Sequence, residues 1–351
     1  MRPKSVAVII AGLFVTGSMV GQRPKIAEKT IQLEQFGFRT GSCESRQSVQ
    51  FLDDDRLVLS APHGGSCDSS SWSNALETKL TVIDLSGAVL AAKTRPDVYA
   101  IEAGPIGFAV ACTETSLELI SGDLNTAKVI SAHPRKISPC SGVDGLSPSR
   151  TAISVRDFGE DPKSGTFHRL VDARSDRPIA ERQISKPDFL AGITDSGYAV
   201  CLEHEGCALL TVDGKVWAGH GGDGRSLFLS PGQMLLPLAP GQKLLMSRFP
   251  DGRREQVVDL HGFAPANADN PSVQISATLP RRILYAATGC YIGDFDDCYA
   301  LTFGRVVVFD PETHQALFKQ NISQGAEPIL SPNGHTVVVL NKTKLQIYKI
   351  P

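Results

Sequence analysis

The chain has 351 residues, 42% of them hydrophobic, with 32 glycines and 22 prolines spread along its length rather than gathered in a linker. A formal net charge of −2, with acids and bases interspersed, excludes a long basic stripe for nucleic acid and an acidic tail. That length admits one large domain or two ordinary ones, and the scattered Gly and Pro predict many short elements joined by turns, an all-β pattern.

The first residues read MRPKSVAVIIAGLFVTGSMVG: Arg2 and Lys4, an apolar run from Val6 to Val15, then small residues at Gly17 and Ser18. This order predicts a signal peptide over 1–22, cleaved between Ser18 and Arg23, and a secreted or periplasmic mature chain over 23–351. The apolar run is too short for a stable membrane span, so an N-terminal anchor is the alternative. No cysteine follows it to accept a lipid.

Five later stretches share one order of events, an apolar pair, a polar turn and an apolar run. They are FLDDDRLVLSA from Phe51, GLSPSRTAISV from Gly145, GITDSGYAVCL from Gly192, FLSPGQMLLPL from Phe228 and ILSPNGHTVVVL from Ile329. Asp, Pro, Asn and Gly replace one another at the turn because each favours tight turns by its own route, so the three aspartates at 53–55 read as turn formers. The starts are 94, 47, 36 and 101 residues apart, and the two long gaps each hide a divergent copy, from Ile101 and from Val273. Seven units with an average period of (329 − 51)/6, or about 46, fit four-stranded propeller blades.

The expected fold is therefore an all-β, seven-bladed β-propeller of four-stranded antiparallel blades, in a single domain. Its blades start near 48, 98, 142, 189, 225, 272 and 326. Third strands are expected at 79–85, 116–121, 207–212, 305–310 and 344–350. Runs such as VVVF and TVVVL are apolar on both parities, as a strand covered on both faces requires. The chain stops after the third strand of the last unit, and TIQLEQFGF at 30–38 is expected to supply the missing strand and close the ring.

The stretch FDPETHQALFKQNISQGAEPILSPNGHTVVVLNKTKLQIYKI, 309–350, resembles the YVTN-type and WD-repeat-like propeller superfamily, in which a D-x-x-T turn and an SP-[DN]-G turn punctuate each blade. The chain lacks the Trp-Asp dipeptide of true WD repeats, and its two tryptophans, Trp72 and Trp217, are too few for quinoprotein propellers. The resemblance implies a propeller whose relatives range from interaction platforms to lactone hydrolases.

All eight cysteines follow the leader: Cys43, Cys67, Cys112, Cys140, Cys201, Cys207, Cys290 and Cys298. An even count in an exported chain reads as disulfides, and no CxxC knuckle or Cys/His cluster favours a metal. Placed on the blades, they fall in connections entering a first strand or at the junction of second and third strands, which emerge on one face of the disc. Neighbour pairing is then expected: Cys43–Cys67, Cys112–Cys140, Cys201–Cys207 and Cys290–Cys298.

The chain has no HExxH, GxSxG, Walker or GxGxxG motif, and no cofactor is implied. HGGS (63–66) and GHGGDG (219–224) read as loop glycines, and Asp294, Asp296 and Asp297 as a solvated hairpin tip rather than a calcium loop. The eight histidines are scattered. Asn321 and Asn341 open glycosylation acceptor triplets. These observations point to a binding module without assigned catalysis, with an unidentified protein or small ligand on the loop face or in the axial channel. The alternative is a lactonase-type hydrolase whose site is assembled in the channel from distant blades.

Overall fold

The computed structural model describes residues 26–64, 67, 77–132, 140, 142–158, 165–175, 178–185, 189–202, 206–210, 216–219, 227–230, 233–238, 243–248, 254–259, 272–292, 298–313, 315–323 and 325–351. The predicted leader, Asp294, Asp296 and Asp297, half of HGGS and most of GHGGDG lie outside them.

The chain starts with β1 (Lys29–Gln32) and continues in groups of four. The first sheet is β2 (Ser48–Phe51), β3 (Arg56–His63), β4 (Glu77–Asp84) and β5 (Val89–Arg95). The second is β6 (Val98–Ala103), β7 (Phe108–Thr113), β8 (Ser116–Ser121) and β9 (Thr126–Ala132). The third is β10 (Val143–Leu146), β11 (Ala152–Phe158), β12 (Thr166–Asp172) and β13 (Pro178–Ile184). The fourth is β14 (Phe189–Ile193), β15 (Tyr198–Leu202), β16 (Gly206–Leu210) and β17 (Val216–Gly219). The fifth is β18 (Leu227–Ser230), β19 (Gln233–Leu238), β20 (Lys243–Arg248) and β21 (Arg254–Asp259). The sixth is β22 (Ser272–Ile275), β23 (Ile283–Ile292), β24 (Cys298–Phe309) and β25 (Ala316–Ile322). The last is β26 (Glu327–Leu330), β27 (Thr336–Asn341) and β28 (Lys344–Lys349).

Every sheet runs in sequence order with antiparallel neighbours, and the last has the order β1-β28-β27-β26. Lys29 pairs with Ile347 and Gln32 with Lys344, so the N-terminal strand completes the C-terminal sheet. The strand expected over 30–38 is shorter than that reading. It ends at Gln32, and Glu34–Phe36 form a 3₁₀ turn closed by Gly37 at φ 99°. The cause is spacing: Leu33, Phe36 and Phe38 are all buried, and i, i+3, i+5 does not match a strand's period of two. The expected third strand at 305–310 is also longer, since β24 begins at Cys298.

The core lies between sheets, which explains the runs apolar on both parities. Val337 and Val339 pack with Leu284, Val306 and Phe318 of the sixth sheet, whereas Val338 and Leu340 pack with Val49, Leu57 and Phe38 around the first. Likewise Leu57 and Leu59 face the last sheet while Val58 joins Ile101, Ala109 and Ala111 of the second. Each strand thus serves two interfaces, and an all-β propeller of four-stranded antiparallel blades results.

First strands are innermost: β2 neighbours β6 and β26, β14 neighbours β18, and β22 neighbours β26. Alternation of strand direction then separates two faces. One carries the tight turns between first and second strands, together with those between third and fourth. The other carries the connections in which the cysteines fall.

Candidate functional site

The inner turns of the turn face are built from the repeat itself. In SPSR, Ser147 N–H donates to Ala152 O (3.0 Å), Arg150 N–H to Ser147 O (2.8 Å) and Ala152 N–H to Ser147 Oγ (3.2 Å). SPNG repeats this geometry: Ser331 N–H to Thr336 O (2.9 Å), Gly334 N–H to Ser331 O (2.9 Å) and Thr336 N–H to Ser331 Oγ (3.0 Å). The fourth position is left-handed in both, φ 77° at Gly334 and φ 52° at Arg150. Glycine takes that conformation without strain, whereas arginine does so at a cost of order 1 kcal/mol. The Arg150 side chain must therefore recover something.

It does so on the axis. Arg150 Nη2 donates to Gly104 O (2.9 Å) and Phe51 O (3.3 Å), where the first strands of the second and first sheets end. Its own carbonyl accepts Ile106 N–H at 2.9 Å. The side chain is buried, and burial pushes its guanidinium down to about 10, opposed by the charge of Asp54. Arg281, half-buried, reaches across from the sixth sheet: its Nη1 donates to Ser276 O (2.7 Å), Ala277 O (2.5 Å) and Pro148 O of the third (2.7 Å). Burial lowers its pKa too, against the pull of Asp195.

Acids add further links among the described turns by taking backbone N–H groups. Asp195 Oδ1 accepts Ser149 N–H (2.9 Å) and Ser149 Oγ (2.6 Å), joining the fourth inner turn to the third. Asp54 Oδ1 accepts Asn333 N–H (2.7 Å), joining the first to the last. Gly107 N–H to Leu52 O (2.6 Å) joins the second to the first, and Ala277 N–H to Pro332 O (2.6 Å) the sixth to the last. The three aspartates of FLDDDR thus divide their work. Asp53 Oδ1 accepts Asp55 N–H (3.1 Å) and Arg56 N–H (2.9 Å) and closes the turn, Asp54 bridges sheets, and the Asp55 carbonyl accepts Leu85 N–H (3.1 Å).

Below these turns Glu102 of β6 and Glu327 of β26 line the channel wall. Desolvation by the crowded inner strands raises both carboxyls, and for Glu102 the charge of Glu327 adds to it.

A second polar group is buried between the third and fourth sheets. Register shifts between Val143 and Gly145 leave Asp144 as a bulged residue aimed inward. Asp144 Oδ2 binds His168 Nδ1 (2.7 Å) and accepts Ser154 Oγ (2.9 Å), and Asp144 Oδ1 meets Arg156 Nε at 3.1 Å. Ser154 Oγ also lies 3.2 Å from Tyr198 Oη, whose ring sits edge-on to His168. The serine bonds to the carboxylate, so this is a satisfied structural knot, not a nucleophile with its base.

On the opposite face, Cys43 is bonded to Cys67 and Cys112 to Cys140, each with Cα atoms 5.2 Å apart. The ladder sets Cys201 opposite Cys207, and sets Cys290 opposite Leu301 and Cys298 opposite Ile292. The side chains of those four lie outside the described residues. Asn321 is exposed on β25, while Asn341 enters a hairpin whose Thr343 hydroxyl donates to Glu34 Oε1 (2.5 Å). The sequence reading passed over Arg150 and Arg281. The one available signal was an arginine where the sister repeat has glycine, SPSR against SPNG.

No protein family and no curated protein matches this sequence. Among solved structures, the chain is similar to one from "Crystal Structure of Mitotic Checkpoint Complex", at 13% identity and TM-score 0.53 over 99% of each chain. It is similar to one from "COPII on membranes, outer coat vertex", at 9% identity and TM-score 0.50 over 86% of this chain and 83% of that one. The Neurospora crassa Pan2 WD40 domain aligns at 10% identity and TM-score 0.49 over 94% and 98%. At such identities the likeness is one of fold alone, in keeping with the β-propeller of four-stranded antiparallel blades described above.

Proposed function

We propose that this chain is a secreted or periplasmic seven-bladed propeller over 23–351, released from a signal peptide at 1–22, that acts as a protein-interaction module. The observation that carries the reading is the turn face. Side chains from four sheets lock inner turns to one another through backbone groups, which makes a preorganised surface rather than a set of independent loops. The WD-repeat-like architecture supports a platform, and the two disulfides support an oxidising compartment. Neighbour pairing of Cys201 with Cys207 and Cys290 with Cys298 belongs to the same reading.

The lactonase-type alternative requires polar groups converging on the channel with lone pairs and protons to lend. Arg150, Arg281, Asp54 and Asp195 instead engage the backbone, Glu102 and Glu327 are a pair of like carboxyls, and no observation favours that reading over the platform.

The test is chemical cross-linking of the purified protein in the extracytoplasmic fraction of its source, followed by peptide mapping. One partner attached repeatedly at the inner turns is the expected outcome. Adducts scattered over the outer strands would reject the platform.

A further inference from the structure

We propose that Leu279, at the tip of the inner turn of the sixth sheet, is the anchor by which this propeller docks to its partner protein, entering an apolar pocket rimmed by lysine or arginine on that protein. This deepens the interaction-module reading and rests on it.

The turn is built to hold its tip out. Residues 276–282 separate β22 from β23, a longer stretch than the inner turns at 52–55, 104–107, 147–151, 194–197 and 331–335. The added length forms the tip, where Thr278, Leu279 and Pro280 are all exposed. Leu279 is 77% exposed, and among the described residues only Ile26, at their start, exposes more of a large apolar side chain.

The base of the turn is pinned on several sides. Ser276 N–H donates to Arg282 O (2.9 Å) and Arg282 N–H to Ser276 Oγ (2.8 Å). Ala277 N–H reaches Pro332 O (2.6 Å) in the last inner turn, and a Cβ at Gly334 of that turn would lie 3.0 Å from the Cβ atoms of both Ser276 and Arg282. Arg281 Nη1 ties Ser276 O and Ala277 O to Pro148 O of the third sheet. Apolar surface left in water is unfavourable, and so short a loop could hide its leucine only by collapsing onto the face. The pinned base opposes that collapse. A large apolar side chain on a fixed backbone loses little freedom on binding, which separates an anchor from an incidental surface leucine.

The charges beside the tip define the pocket. Asp195 acts on Arg281 and Asp310 on Arg282, which places both carboxylates near the turn, and Glu312, close to Asp310 in the chain, is exposed. The two arginines are spent within the fold, Arg281 on backbone carbonyls and Arg282 buried against Pro351 O. A partner therefore meets a leucine flanked by acids, and basic groups around its pocket complement them. The same acids oppose an anionic membrane, and in a twofold pair about this tip they would face one another.

The photo-reactive residue p-benzoylphenylalanine in place of Leu279 tests this in the full chain, mixed with the extracytoplasmic fraction of its source and followed by peptide mapping. The expected adduct is one peptide with apolar residues beside lysine or arginine. The same probe at Val129, exposed on the outer strand β9, should not capture that peptide. The captured protein, once purified, should bind the unmodified full chain. Leu279→Ala should weaken that binding at least about tenfold, as loss of an anchor does. The denaturant midpoint should stay unchanged, because so exposed a side chain touches little of its own fold. Leu279→Met keeps the volume and should retain most of the affinity. Added salt should slow association. An adduct to a second copy of this chain, to lipid or to an acidic peptide overturns the proposal, and so does binding that Leu279→Ala leaves unchanged or capture of the same peptide from Val129. If the probe at 279 captures nothing while partner cross-links at other inner turns persist, the leucine anchor is wrong and the interaction module stands. If neither forms, both readings fall.

Discussion

The turn face and the cysteine face connect the same strands, yet they are held together by different chemistry. On the turn face the connections are short, residues 52–55, 104–107 and 147–151, and fixed donors and acceptors reach a neighbouring sheet without much loss of chain freedom. On the cysteine face two connections are long, 64–76 and 133–142, and Cys67 and Cys140 lie in them, while others such as 96–97 and 114–115 are short. A long loop retains conformational freedom that hydrogen bonds recover poorly and a covalent bond removes outright. The inner turns are therefore held by geometry and the two long connections by oxidation, so each has its own point of failure.

The largest effect is expected from the cysteine face. Replacing Cys112 and Cys140 together by serine opens a bridge spanning 28 residues, one end of which is fully buried. It should lower stability by about 3–4 kcal/mol. Denaturant unfolding measures this, and a mild reductant should reproduce the loss in the wild type. Were reduction harmless, the cysteine face would be held by packing and the contrast between the faces would fail.

On the turn face, Arg150→Ala strips the carbonyls of Phe51 and Gly104 of their donor and leaves a void on the axis, for a loss of roughly 2–3 kcal/mol. Arg150→Gly loses the same bonds but relieves the left-handed strain, so it should retain about 1 kcal/mol more than the alanine variant. Alanine and glycine variants of equal stability would show that backbone strain at this turn has no energetic weight.

The smallest effect is in the channel between the faces. Burial raises the carboxyls of Glu102 and Glu327 above the ordinary glutamate value of 4.5, so the folded state holds their protons more tightly than the unfolded chain. Their contribution is fully present below about pH 4.5 and declines as pH rises through the raised folded values. Glu102→Gln and Glu327→Gln should thus be more stable than wild type at pH 7, with the difference vanishing below pH 4.5. Thermal unfolding across that range measures it, and a gain that persists in acid would place its cause outside titration.

Much of this architecture is legible along the chain, because the features concerned are local. The period of the turns, the alternation of apolar runs and the neighbour relation of Cys43 to Cys67 depend on residues a few tens of positions apart at most. DDDR and SPNG announce turns, since Asp, Pro and Gly favour them in any context. What the local pattern misjudged was TIQLEQFGF, where burial of Leu33, Phe36 and Phe38 overrides extended structure after Gln32.

The site is a different matter. SPSR reads as one more turn, and nothing near it announces that Arg150 will meet carbonyls 99 and 46 residues away, or that Arg281 will reach Pro148 over a separation of 133. Asp54 likewise gains its role from Asn333, 279 positions distant. Turn chemistry and strand period arise from short-range sterics and hydrogen bonding, so the amino-acid order states them directly. Convergence on an axis arises only when the sheets pack around it, because that packing alone brings distant backbone groups within reach of one guanidinium.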